Sequence, residues 1–244
     1  MRRLRGGGNA ATEKTAPIMR GQHDGSMPLF RHSPARSPDT RRITEMRCAM
    51  RSQRITLIVE IALTAALSTV LSVLAVRLPI NIAGGTVSFA MLPILVLALR
   101  RGVAPAMIAG VLFGFADMLV EPFFVAPVQV ALDYPIAFAA VGLAGLGAAS
   151  YGRMLDRSPA AASATALGFM AIGGAARCAA AWLSGVVFFG ANAPAGQPVW
   201  LYSLVYNLSY ILPSFIICSA AAVIVLPLLE RAVPAATHTA SAVS

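Results

Sequence analysis

From Ile55 onward, apolar stretches alternate with short polar breaks at Arg77 to Gly85, Arg100 to Gly102, Glu121 to Ala126, Tyr151 to Pro159 and Ala191 to Pro198. The breaks delimit six segments: Ile55 to Val76, Thr86 to Leu99, Val103 to Leu119, Pro127 to Ser150, Ala160 to Gly190 and Val199 to Leu229. A bilayer crossing takes roughly 20 residues of helix. The spacing therefore predicts an all-α membrane protein with six transmembrane helices, the fifth and sixth tilted or extended. The second segment falls short of a crossing, and Leu78 to Gly85 before it carries a proline and a glycine pair unsuited to helix. This loop is expected to dip into the membrane. Irregular backbone is tolerated there only against protein or a water-filled cavity, so a pocket beneath the loop follows.

Charge assigns the sides. Twelve of the 19 Lys and Arg residues and four of the ten acids precede Ile55, so most of the net +9 lies ahead of the apolar body. Arg100, Arg101, Arg153, Arg157 and Arg231 fall on the side of that basic N-terminus and Arg77 on the other, which predicts both termini in the cytoplasm and a multi-pass protein of the cell membrane. Residues 1–52 are rich in Arg, Gly, Ser, Pro and Thr and read as a disordered basic extension able to attract anionic lipid, or as a translation start called too early, since Met46 and Met50 precede the first apolar run. Residues 53–232 form the membrane domain, and 233–244 read as a disordered tail.

Composition narrows the chemistry. With 57% hydrophobic and 12% charged residues and a mean hydropathy of +0.73, there are too few polar side chains to coat a soluble globule. The single lysine, Lys14, excludes a phosphate-binding loop and a Schiff-base lysine in the body, so the chain cannot itself be an ATPase. His23, His32 and His238 lie outside the apolar region, and Cys48, Cys178 and Cys218 have neither disulfide nor metal spacing. No catalytic residue, metal, cofactor or nucleic-acid partner is expected, and a lipid-modifying enzyme is the weakest reading.

The charges that remain inside the segments each need a reason, since one near the bilayer centre costs at least ~2.5 kcal/mol. At about 1.5 Å of rise per residue, Asp117 and Asp133 both fall roughly 9 Å below the outer surface, Arg177 reaches a similar depth, and Asn207 lies about 12 Å down. Tyr134, Phe188, Phe189, Trp200, Tyr202, Tyr206 and Tyr210 bracket this layer. One reading is an ion pair of Arg177 with Asp117 or Asp133 and an ordinary interfacial aromatic belt. The other is a site for a small, flat, cationic ligand, whose charge aromatic faces and a carboxylate would hold. Pro135 favours the second for Asp133, because a proline there frees the carbonyl of Ala131 and lets the helix kink where Asp133 and Tyr134 project. Glu60 lies near the cytoplasmic end, apart from the layer, and is expected to reach toward headgroups or a partner.

The blocks EIALTAAL (Glu60 to Leu67), MLPILVLALRRG (Met91 to Gly102), QVALDYPIAFAAVGLAG (Gln129 to Gly145) and SGVVFFGANAPAGQPVWLYSLVYNLSYILPS (Ser184 to Ser214) occur in order. Together they closely resemble the thiamine-specific substrate-binding subunit, or S component, of energy-coupling factor transporters. The resemblance implies a six-helix protein that captures thiamine outside and relies on a coupling membrane subunit and two ATPases for transport. It assigns the ligand to Asp133, Tyr134, Phe189, Tyr202 and Asn207; Asp117, Arg177, Trp182, Tyr206 and Tyr210 stand beside them as candidates, either ligand-binding or structural. It assigns contact with the coupling subunit to Ala62 and Ala66. Tyr202 and Asn207 stand about 140° apart on a helix, so Tyr202 is expected in an irregular entry to the last segment. Relatives commonly carry a His where this chain has Ala181, and a stacking Trp where it has Phe189. These departures keep open an S component for a related pyrimidine or thiamine analogue. A self-sufficient secondary transporter with Asp117 and Asp133 as proton carriers is the other alternative.

Overall fold

The computed structural model describes residues 38–74, 76–77 and 86–232. By compactness the chain divides into Met1–Thr44 and Glu45–Ser244, and the architecture below is that of the second unit. Helix α1 (Pro38–Val73) leads to a two-residue antiparallel ribbon, β1 (Val76–Arg77) with β2 (Thr86–Val87), and then to α2 (Met91–Arg101) and α3 (Val103–Val120). A composite helix, α4 (Pro127–Leu155), follows, then α5 (Pro159–Phe188) and α6 (Val199–Ala232). Five of these helices, α1 and α3 to α6, are long and apolar enough to cross a membrane.

The exception is α2. The second predicted segment began at Thr86, but Thr86 and Val87 pair with the ribbon, and the helix starts only at Met91. At about 1.5 Å per residue α2 covers only ~16 Å. It is buried nearly all round through Met91, Ile94, Leu95, Ala98 and Leu99. The first segment also differs: helix begins at Pro38, ahead of the predicted Ile55, so part of the stretch read as disordered is helical. The predicted dip at Leu78 to Gly85, residues 1–37 and the tail 233–244 lie outside the described residues.

The core follows helical periodicity. Helix α6 buries Ser203, Asn207, Ile211, Ser214, Cys218, Ala222 and Leu226, a stripe of threes and fours running its whole length. In contrast, α1 buries a thin line, Ile61, Ala65 and Ser68, among its described side chains. Two polar contacts fasten it: the Ser72 hydroxyl donates to Asp117 Oδ1 on α3, and Arg101 holds Glu60 through two bonds, Nε to Oε2 at 2.6 Å and NH2 to Oε1 at 2.7 Å. Glu60, expected to reach toward headgroups or a partner, is held by Arg101. Arg100 similarly pairs with Glu230 at 2.9 Å, so the ends of α2 and α6 meet.

Helix α4 is wound unevenly. A π-helical turn (Leu132–Ile136) containing Pro135 and a 3-10 stretch (Gly142–Gly147) interrupt its α-helical parts. The widened turn falls at Pro135, where the sequence predicted a kink. Gly114 of α3 lets it sit against that turn, since a Cβ there would come within 2.7 Å of the Pro135 backbone.

Candidate ligand cavity

A cavity of about 610 Å³ opens between α3, α4, α5 and α6. From α3 comes Asp117, from the π turn of α4 Asp133 and Tyr134, from α5 Arg177, and from the end of α5 Phe189. Helix α6 contributes Tyr202, Tyr206, Asn207 and Tyr210. Asp117, Asp133, Arg177 and Asn207, which depth arithmetic put in one layer, thus share one hollow with Tyr134, Phe189, Tyr202, Tyr206 and Tyr210, while Phe188 and Trp200 do not line it. Of the aromatic candidates, Trp182 does not either: its indole Nε1 donates to the Trp200 carbonyl at 2.9 Å, and both rings line an apolar groove on another face of α5 and α6.

Asp133 is held from behind. Gln129, one turn earlier and fully buried, donates its Nε2 to Asp133 Oδ2 at 2.6 Å and accepts the Val125 amide on Oε1 at 3.0 Å. Tyr134 is tied to the same loop. Its hydroxyl donates to the Glu121 carbonyl at 2.6 Å and accepts the Phe123 amide at 3.1 Å, so it presents its ring to the cavity while its polar end is engaged. The loop returns the contact by placing Phe123 beside Phe189, ring centroids 5.8 Å apart. Sequence reading missed Gln129. The available signal was the four-residue spacing in QVALD, which puts the amide over the acid on one helix face.

Asn207, buried to 4% exposure, is fixed on three sides. Its Nδ2 donates to the carbonyls of Ser203 (2.9 Å) and Ala181 (3.3 Å), and its Oδ1 accepts the Tyr210 hydroxyl at 2.7 Å. The Ser203 hydroxyl donates to the Trp182 carbonyl at 2.8 Å, and Gly185 opposite has no side chain to collide with it. Tyr202, Tyr206 and Tyr210, four residues apart, form a ladder with centroids 6.3 and 5.7 Å apart.

Two expectations are corrected by this geometry. Tyr202 is not in an irregular entry: α6 is regular from Val199, and the Tyr202 amide bonds the Pro198 carbonyl at 3.1 Å. It shares the cavity with Asn207 because a tyrosine ring reaches round from the neighbouring stripe. Arg177 makes no ion pair with Asp117 or Asp133 among the described residues; its guanidinium lies over the Phe138 ring, 4.3 Å from the centroid, and faces the cavity. Among the described residues no group of three or more His, Cys, Asp or Glu side chains is placed to hold a metal ion. The lining offers carboxylates, an amide and phenol rings, one pair stacked and one edge-on, a set suited to a flat ring bearing an amine and a positive charge.

The family model for the thiamine transporter protein (Thia_YuaJ) matches residues 58–234, which takes in every cavity residue named above. The chain belongs to this thiamine transporter family. Among similar proteins, the thiamine transporter ThiT of Bacillus subtilis (strain 168) is 37% identical over 170 residues, covering 69% of this chain and 88% of the relative. ThiT of Lacticaseibacillus paracasei (strain ATCC 334) is 41% identical over 125 residues, 49% of this chain and 62% of that one. The solved structure of ThiT from Listeria monocytogenes superposes with a TM-score of 0.64 at 29% identity, covering 74% of this chain and 96% of its own. Membership in the thiamine transporter family and the five long apolar helices make this a multi-pass membrane transport protein, not an enzyme.

Proposed function

We propose that this chain is the thiamine-binding subunit of an energy-coupling factor type uptake transporter. The observation that carries the reading is that Asp133, Asn207 and the tyrosine ladder meet in one cavity, in a chain of the thiamine transporter family. In this reading Asp133 accepts hydrogen bonds from the aminopyrimidine, and Asn207 fixes the ring edge. Phe189, Tyr202, Tyr206 and the Tyr134 ring enclose the cationic thiazolium by their faces. Tyr210 acts through Asn207, whose orientation it sets. Asp117 and Arg177 line the wall, Asp117 also bracing α1, and Trp182 stays outside the site.

The topology belongs to the same proposal. Short α2 counts as a sixth, partial span, and the basic end where Arg101 meets Glu60 and Arg100 meets Glu230 faces the cytoplasm with both termini, leaving the cavity to open outward. A coupling membrane subunit and two ATPases supply the energy. Ala62 and Ala66 lie exposed on α1, on a face turned away from its thin buried line, where small residues four apart allow a partner helix close approach.

A calorimetric titration of the purified full chain with thiamine is expected to give saturable binding at micromolar ligand or below. The absence of any binding heat there would sink the proposal. Ala181 and Phe189, which replace the His and Trp common in relatives, favour one second reading: the same architecture serving a thiamine analogue or free pyrimidine. Competition among thiamine, its phosphates and the pyrimidine separates the two.

A further inference from the structure

Gln129 does not touch the cavity, yet it is the link between the acid inside and the loop outside. Its side chain is fully buried and both of its polar atoms are used, one on Asp133 and one on the backbone of Val125. The loop it grips, residues 121–126, supplies Glu121, Pro122 and Phe123 to the cavity wall. Tyr134, the neighbour of Asp133 in the π turn, bonds the same loop through Glu121 and Phe123. Acid and wall are therefore tied together twice, within one turn of α4.

We propose that Gln129 is a positioning residue for ligand specificity: it engages Oδ2 of Asp133, leaves Oδ1 as the acceptor for a ligand amine, and couples that choice to the placement of the 121–126 loop. An unconstrained carboxylate rotates about its χ angles and accepts from either oxygen. One held by a buried amide presents a single direction, which selects a donor at one place on the ligand ring. A hydrogen bond to a charged group carries enough free energy to shift affinity by roughly ten- to a hundredfold when it is lost. The inference rests on the thiamine reading for the identity of the amine, but the tie between Gln129 and Val125 does not.

The test uses Gln129→Leu, which removes both bonds, and Gln129→Glu, which keeps the shape but turns the donor toward Asp133 into an acceptor. Each is titrated with thiamine and with oxythiamine, whose ring carries a carbonyl in place of the amino group. Thiamine binding is expected to weaken at least about tenfold in both variants, while oxythiamine shifts less than about threefold. Equal losses for the two ligands, or no loss for either, overturn the proposal, because a merely structural role does not discriminate between them. Hydrogen exchange of the full chain provides the arm that needs no ligand: the Val125 amide is expected to exchange at least about tenfold faster in Gln129→Leu than in the wild type. If the wild type binds neither ligand, the thiamine reading fails, and an unchanged Val125 exchange rate then overturns the tie by itself.

Discussion

At the scale of single residues, Gln129 aims the Asp133 carboxylate at the cavity, and the proposed function has a ligand amine read its charge. Asp133→Asn keeps the shape and removes the charge, so thiamine binding is expected to weaken at least about tenfold by calorimetry; an unchanged affinity would exclude Asp133 from the ligand. The two tryptophans of the chain, Trp182 and Trp200, line the apolar groove and not the cavity. Intrinsic fluorescence is therefore expected to respond weakly to thiamine in the wild type. Phe189→Trp places an indole at the wall, and a saturable quench on titration is expected, with affinity rising a few-fold from the stronger ring quadrupole. A quench of equal size in the wild type would put one of the native indoles against the ligand.

At the scale of helices, close approach sets the site. Gly185 lies where the Ser203 hydroxyl crosses to α5, and a methyl group there would meet that oxygen. Gly185→Ala is expected to push α6 off α5, cost about 1–3 kcal/mol of stability and lower the thermal midpoint. Thiamine binding should weaken with it, because Asn207 hangs on the same seam; a variant with wild-type midpoint and affinity would show that the seam gives way without cost. Most of this layer was legible in the sequence. Helices α3 to α6 begin and end near the polar breaks at Arg100, Glu121, Tyr151 and Ala191, because in a membrane chain those breaks are where backbone and charge can reach water. The departures have physical reasons. Residues from Pro38 continue α1 although they are polar, since helix formation does not require apolar side chains. Thr86 and Val87 read as the start of a span but found a strand partner, and hydropathy does not register backbone pairing. For the site, depth arithmetic collected the right layer yet carried no azimuth, so Trp200 fell in with residues on another face, and the ion-pair reading of Arg177 stands replaced by a ring contact.

At the scale of the whole molecule, binding and transport are expected to be separable. Ala62→Leu combined with Ala66→Leu adds bulk to the exposed small-residue face of α1 without touching the cavity. Thiamine affinity of the purified chain should then remain within about twofold, while uptake into cells that also carry the coupling subunit and ATPases falls at least about tenfold. Uptake by the chain without those partners would instead identify a self-sufficient transporter.

The ribbon before α2 carries one more consequence. The Ser88 amide bonds Ser214 Oγ at 3.3 Å, and Thr86 lines the cavity. Ser214 lies well inside α6, about 22 Å along it from Val199 by helical rise, so a piece of strand has been lowered far below the mouth. Beneath it stands only about 13 Å of α2 before the arginines begin. A molecule resting on that floor would sit nearly half-way along α6, deep in the bundle and not at its rim.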